Sequence, residues 1–447
     1  MKKQTLIPRR HFLKCSAGGL AAMSAIPGIL PASTAKSTTR PAPSDRVVVG
    51  LIGCGSLGRG HHLSSCMIPN PRIEVGALCD VDMNHLYDAA RRCKDRTGKR
   101  VPTYKDFRQL VEQKDLDAVV IATPDHWHAL NAIAAMENGL DVYCEKPLSL
   151  TIEEGKAMVA AARRYGTVFQ TGSMQRSQPQ FRRACELVRN NKIGKLHTVT
   201  THIGKVPTGR PKDQWQAPQT PPAGLDWDFW LGPAPYADYT PNRCHYQFRW
   251  YWDYSGGKMT DWGAHHNDIA QWGLNMDHFG PIMVDSKGVY SDKGPYDAAI
   301  QFEVTYYYDT DVILICSSEP CGQESNGIKF IGEDGWIFVN RRKIEASDPD
   351  ILKIELGPDD VRLYNTGDNP NSFVNHYKNW LDCIQTRQRC ICDVEVGHRS
   401  CTVCHLGNIS LRLGRRLKWN AGPMTFFKDQ TATDTMMGRP MRPPWHL

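Results

Sequence analysis

The chain has 447 residues, 41% of them hydrophobic and 23% charged, the balance of a globular protein with more than one domain. Five of its seven net positive charges fall in residues 1–35, which hold Lys2, Lys3, Arg9, Arg10 and Lys14 and no acid. Little basic excess is left for a nucleic-acid partner. No apolar run reaches the roughly 18 residues that a membrane span needs.

In chain order, residues 1–35 read as an export signal. Pro8-Arg9-Arg10-His11-Phe12-Leu13-Lys14 precedes a moderately apolar run and the small residues Ser33-Thr34-Ala35. The paired arginines followed by Phe-Leu-Lys resemble the twin-arginine type, which carries folded proteins across the membrane, although Pro8 stands where that pattern prefers Ser or Thr. The expected location is the periplasm. Residues 36–46 form a Ser-, Thr- and Pro-rich linker, 47–171 a first domain, 172–420 a second and 421–447 a tail. The 15 cysteines are expected to be mostly free thiols, since Cys54, Cys79 and Cys144 lie in or beside apolar strand-like runs, with one or two bridges forming after export.

From Val47 to Thr171, short Val- and Ile-rich runs alternate with helical patterns. Strands are expected at Val47–Ile52, Ile73–Cys79, Asp117–Ala122, Asp141–Cys144 and Thr167–Gln170. Helices are expected at Ser56–Cys66, Asp82–Arg96, Lys105–Gln113, His126–Asn138 and Ile152–Tyr165. That order makes an α/β Rossmann domain with a doubly wound parallel sheet. An α+β domain with a large, mostly antiparallel open sheet follows. It opens with a helix at Pro179–Asn191 and a strand at Leu196–His202. A loop-rich stretch over 203–249 and a helix at Asp261–Trp272 come next. Strands cluster at Ile282–Val289, Ala298–Tyr307, Val312–Ser317, Ile328–Ile331 and Trp336–Val339, and helices at Ser372–Thr386 and Glu395–Leu417 close the domain. The long loop carries Trp215, Trp227 and Trp230, with Trp250 and Trp252 just beyond it, and so offers aromatic platforms for a sugar ring.

Three clusters carry chemistry. Gly53-Cys54-Gly55-Ser56-Leu57-Gly58 follows the first strand and opens a helix, the arrangement that lets a pyrophosphate approach unpaired backbone N–H groups. Asp80 ends the second strand, where a carboxylate holds ribose hydroxyls, and no Lys or Arg follows before His85, so NAD is expected over NADP. Thr123-Pro124-Asp125-His126-Trp127-His128 and Glu145-Lys146-Pro147 close two further strands at the same carboxyl edge. In Asp261-Trp262-Gly263-Ala264-His265-His266, helical spacing puts Asp261 and His265 on one face, with Asp261 able to orient His265. His61-His62, His126-x-His128 and His265-His266 repeat no known metal spacing, so no metal is expected. Cys401-Thr402-Val403-Cys404-His405 matches a haem-attachment pattern but falls inside an amphipathic helix.

Together the glycine turn, Thr123-Pro124 with His128, Glu145-Lys146-Pro147 and Asp261-x-Gly263-x-His265 resemble the Gfo/Idh/MocA oxidoreductases over nearly the whole chain after the leader. The resemblance implies hydride transfer between NAD and a sugar or sugar derivative, with Lys146 and His265 catalytic and Asp261 supporting. It also implies cofactor contacts from Gly53, Gly55, Ser56, Leu57, Gly58, Asp80, Thr123, Pro124, His128, Glu145 and Lys146. Substrate contacts are expected from Trp127, Arg176, Arg249 and His266, and the second domain's sheet often makes a homo-oligomer, here a dimer or tetramer. The leader and Asp253-Tyr254-Ser255-Gly256-Gly257 look like the family's exported branch. Some exported relatives are NAD-dependent glycosidases, but their Thr-His-Gly type motif is replaced here by the Asp261–His266 stretch, which favours net oxidoreduction. A cofactor-binding sensor or scaffold without activity is the non-enzymatic alternative.

Overall fold

The computed structural model describes residues 46–206, 214–320 and 326–447. The expected leader and almost all of the linker lie outside the described residues. Six strands form the first sheet: β1 (Val47–Ile52), β2 (Ile73–Cys79), β3 (Thr103–Tyr104), β4 (Ala118–Ile121), β5 (Asp141–Cys144) and β6 (Phe169–Thr171). Their order is β3-β2-β1-β4-β5-β6 and every pairing is parallel. Side chains alternate across the pleat. Val49, Leu51 and Val120 bury on one face, Ile52, Ile121 and Val142 on the other, so both faces need a helical cover.

The second sheet has nine strands: β7 (Leu196–His202), β8 (Met283–Val289), β9 (Gln301–Tyr307), β10 (Ile313–Ser317), β11 (Gly327–Gly332), β12 (Trp336–Val339), β13 (Ile344–Ala346), β14 (Leu417–Asn420) and β15 (Thr425–Phe426). Its order is β13-β12-β11-β7-β10-β9-β8-β14-β15, antiparallel except where β7 meets β10. Phe181 and Leu187, Ile269 and Ala270, and Val403, Leu406 and Ile409 project from three helices onto Val304, Leu314, Ile328 and Phe330 of this sheet.

Several elements depart from the sequence reading. Helix Ser372–Thr386 lies where expected but packs on the first sheet: Tyr377, Trp380, Leu381 and Ile384 share a core with Val49 and Val120. Their i, i+3, i+4, i+7 spacing gives a stripe wide enough to cover one Rossmann face. The last long helix stops at Leu413, where Gly414 takes the left-handed conformation, and the chain re-enters the sheet as β14. Residues 421–447 are structured: β15 and helix Gln430–Met436 pack on the second sheet, and the Trp445 ring meets Trp127 edge-on at 4.8 Å. The expected helix Asp261–Trp272 is divided at Trp262 into Gly257–Asp261 and Gly263–Gly273. All thirteen cysteines among the described residues are buried free thiols.

Candidate active site

The carboxyl ends of β1, β2, β4 and β5 open into a cleft with about 1070 Å³ of empty space, part of it open to solvent. Gly53, Gly55, Ser56 and Leu57 form its floor after β1. Gly53 has φ +94°, and a Cβ there would stand 2.6 Å from the Ala122 carbonyl carbon, so only glycine lets this turn pass β4. The helix Gly58–Met67 that follows is wound with i→i+5 hydrogen bonds.

Asp80 anchors the other side of the turn. Cys54 N donates to its Oδ2 at 2.6 Å and Asp82 N to its Oδ1 at 2.8 Å. Burial pushes its carboxyl up to about 6 against the pull of those two hydrogen bonds. Thr123 and Pro124 line the cleft at the end of β4, with Asn131 Nδ2 donating to Thr123 Oγ1 at 3.2 Å. His128 is absent from the lining. Its two ring nitrogens contact the carbonyl oxygens of Pro147 at 2.8 Å and Thr123 at 2.9 Å, so it ties together the loops after β4 and β5.

Lys146 enters the cleft from the end of β5. Its Nζ donates to Asp261 Oδ1 at 3.0 Å and to the Asp261 carbonyl at 3.2 Å, linking the Rossmann edge to the second domain. Arg249 Nε stands 3.6 Å from the same carboxylate oxygen. Burial pushes the Asp261 carboxyl up, but Lys146, Arg249 and Lys258 together hold it below the usual carboxylate range. Asp261 therefore serves Lys146 rather than His265, because an ammonium outbids a neutral imidazole for a buried carboxylate. His265 Nδ1 is left without a hydrogen-bond partner, and burial, then the charges of Lys146 and Arg341, press the ring well below its ordinary pKa. It is buried beside Lys146 and is not part of the cleft lining.

Glu145 lies in the wall with His62 Nε2 3.1 Å from its Oε1, a close contact outside hydrogen-bond alignment. Burial pushes this carboxyl up, but His62 and Lys146 bring it below its usual value.

Two expected substrate contacts are elsewhere. The fully buried Arg176 grips Asp268 with Nε at 2.9 and 3.0 Å and reaches Asp277 at 2.9 Å, a core ion pair rather than a ligand. His266 is equally buried, between Gln175 Nε2 at 3.3 Å and Asn326 Oδ1 at 3.0 Å. Trp127 and Arg249 do line the cleft, although the Trp127 indole N–H is spent on the Trp230 carbonyl at 2.9 Å. Of the tryptophans read as sugar platforms, Trp227, Trp230 and Trp250 form a small core of their own, and Trp215 is 74% exposed. Trp230 still reaches the cleft, which is also faced by Phe229, His245, Tyr246, Phe248 and Arg249. Sequence reasoning gave Asp125 no role, yet it lines the cleft with Ser255 Oγ donating to its Oδ2 at 2.5 Å, and burial raises its carboxyl. Its place directly after Thr123-Pro124 was the available signal.

Residues 47–173 match the family model described as "Oxidoreductase family, NAD-binding Rossmann fold", and residues 209–447 match "Oxidoreductase family, C-terminal alpha/beta domain". Among curated relatives, a "Glycosyl hydrolase family 109 protein" of Shewanella pealeana is 34% identical over 172 residues, 35% of this chain and 37% of that protein. The levoglucosan dehydrogenase of Pseudarthrobacter phenanthrenivorans is 33% identical over 154 residues, 33% of this chain and 38% of that protein. The chain thus spans under two fifths of the length of these two relatives. A solved structure of the WlbA dehydrogenase from Bordetella pertussis, in complex with NADH and UDP-GlcNAcA, superposes with a TM-score of 0.63 at 19% identity, covering 85% of this chain and 99% of that one.

Proposed function

The chain belongs to the Gfo/Idh/MocA family of oxidoreductases, and from that premise we propose that it transfers a hydride between NAD and a CH–OH group of a sugar or sugar derivative. The observation that carries this is the Lys146–Asp261 contact at the end of β5, in the same cleft as the glycine turn and Asp80.

The cleft fits the cofactor. No atom lies within 4 Å of where a Gly55 Cβ would stand, which leaves room for a pyrophosphate, and Asp80 offers a carboxylate for ribose hydroxyls. When bound, the nicotinamide supplies the hydride acceptor or donor. Strands are about 4.8 Å apart, so β2 and β5, three steps across the sheet, hold Asp80 and Lys146 roughly 14 Å apart in that direction. That separation matches the two ends of a dinucleotide. Lys146 holds the reacting oxygen of the sugar, and Asp261 fixes the ammonium. His265, buried behind Lys146 and outside the cleft lining, is read as the acceptor of the hydroxyl proton, a role that requires its ring to reach the cleft once sugar and cofactor are bound and to regain basicity against burial and the Lys146 charge. Arg249, Phe248 and Tyr246 form the wall against which the sugar lies.

Lys146→Ala and His265→Ala should each lower turnover about 10²–10⁴-fold while retaining NAD. Loss of cofactor in both, or full activity in both, refutes the assignment. The match to a family 109 glycosyl hydrolase supports a second reading: transient oxidation of a sugar, elimination of its aglycone, addition of water across the resulting double bond, and return of the hydride. That cycle leaves no net reduced cofactor, so aglycone release without NADH accumulation selects it. The leader supports export of the folded protein with its cofactor to the periplasm. Replacing Arg9 and Arg10 by Lys should retain the protein in the cytoplasm, whereas unchanged export assigns another route.

A further inference from the structure

Asp82, His85 and His245 come together at the adenosine end of the cleft, and their ligand atoms all lie within 4.8 Å of one another. His245 Nε2 is 3.0 Å from Asp82 Oδ2, and His85 Nδ1 is 4.0 Å from the same oxygen. We propose that these three side chains form a binding site for a divalent transition-metal ion of the zinc class, which clasps the long loop of the second domain to the Rossmann domain.

The donor set is one carboxylate oxygen and two imidazole nitrogens, the combination that borderline divalent ions prefer. An ion bound at about 2.0–2.1 Å in a tetrahedral site sets its ligand atoms roughly 3.3 Å apart, between the two distances found here. Asp82 is prepared for the task. It caps helix Met83–Thr97 by accepting from Asn84 N with Oδ1 at 2.8 Å, which leaves Oδ2 turned toward the histidines. His85 lies on the first turn of that helix and is held in place by it.

His245 arrives from far along the chain, on a segment already stitched to the end of β2. Met83 N donates to the Gly224 carbonyl at 3.0 Å and Asp226 N to the Val81 carbonyl at 3.1 Å. The ion adds a further fastening at this seam. Both His85 and His245 line the cleft, so the remaining coordination positions face its interior. Three strand spacings from Lys146, such an ion lies too far from the reacting carbon to polarise it. Its work is to hold the loop over the cofactor.

The test is zinc binding by the native, gel-filtered holoprotein, followed by competition with a chromophoric chelator, together with the visible spectrum of the Co²⁺-loaded protein. The expected result is one ion per chain, with d–d bands of a four- or five-coordinate site and no thiolate charge-transfer band. His85→Ala and His245→Ala should each weaken binding at least about tenfold, since even outer-shell changes cost 10–100-fold. Both positions are partly exposed, so the variants should fold, and His61→Ala should bind as the wild type does. Absence of stoichiometric binding, a thiolate band from the buried cysteines, or unchanged affinity in both variants overturns the proposal.

Discussion

Gly55 and Gly58 stand three residues apart in one turn, and the structure assigns their replacement opposite consequences. A Cβ at Gly58 would lie 1.9 Å from the Gly53 carbonyl oxygen and 3.0 Å from its carbon. Nothing there is a flexible side-chain end: the obstacle is backbone in a turn held at φ +94°. Overpacking of this kind costs about 1–3 kcal/mol, and a rigid neighbour puts Gly58→Ala at the upper end. The melting temperature of the cofactor-free protein should fall by roughly 3–4 °C, about 3 kcal/mol spread over the unfolding entropy of roughly 400 residues. At Gly55 the added methyl meets no protein atom within 4 Å, so Gly55→Ala should fold as well as the wild type or gain about 0.4–1 kcal/mol through the unfolded chain. That methyl instead takes space in the cleft, and NAD affinity should drop by at least about tenfold, or 1.4 kcal/mol. Thermal melts of cofactor-stripped protein and equilibrium dialysis with NAD separate the two effects. If Gly55→Ala keeps full affinity while Gly58→Ala melts like the wild type, this turn is not the cofactor's cradle.

Arg176→Ala strands Asp268 in the core without its counter-charge and should cost about 3–5 kcal/mol, read as a lower melting temperature, with Arg176→Met plus Asp268→Leu recovering much of it. A stable Arg176→Ala protein with raised KM would return Arg176 to the substrate site. Because the Asp80 carboxyl is pushed up to about 6, NAD affinity should be full above that pH and fall up to about tenfold per unit below it as the carboxylate is protonated, measured by dialysis across the range; Asp80→Asn should flatten the profile. His126, His266, His376 and His405 are buried with pKa values at about 3 to 4, below the unfolded value of about 6.5. The unfolded chain therefore binds more protons in that window, and stability should decline as pH falls from about 6.5, by up to about 1.4 kcal/mol per unit for each ring; a flat unfolding free energy there would contradict the burial.

What the sequence made legible is local. Val47–Ile52, Ile73–Cys79, Asp141–Cys144 and Ile152–Tyr165 are read to the residue because their periodicity and boundary residues are contained within each segment. The two-residue β3 has too few side chains to carry a pattern, and β14 was absorbed into the helix before it because Leu417 continues that helix's apolar spacing. The site followed the same rule. Gly53, Asp80 and Lys146 sit at strand ends that the pattern locates. Arg176 has a partner 92 residues away, and the join of Asp82 to His245 is equally long-range, so neither was visible. Asp261 was assigned to its helical neighbour His265, whereas the fold delivers a stronger partner, Lys146, from the other domain.

Hydride transfer from a sugar carbon to the nicotinamide is the central claim, and isotope transfer tests it most directly. Holoprotein is incubated with a panel of sugars deuterated at their carbinol carbons, and the released cofactor is weighed by mass spectrometry. The account predicts NAD(H) carrying one deuterium with at least one sugar, and label that appears at least about 10²-fold more slowly in Lys146→Ala. Conversion of a sugar by the wild type with no deuterium on the cofactor, or labelling at the same rate in Lys146→Ala, would contradict it.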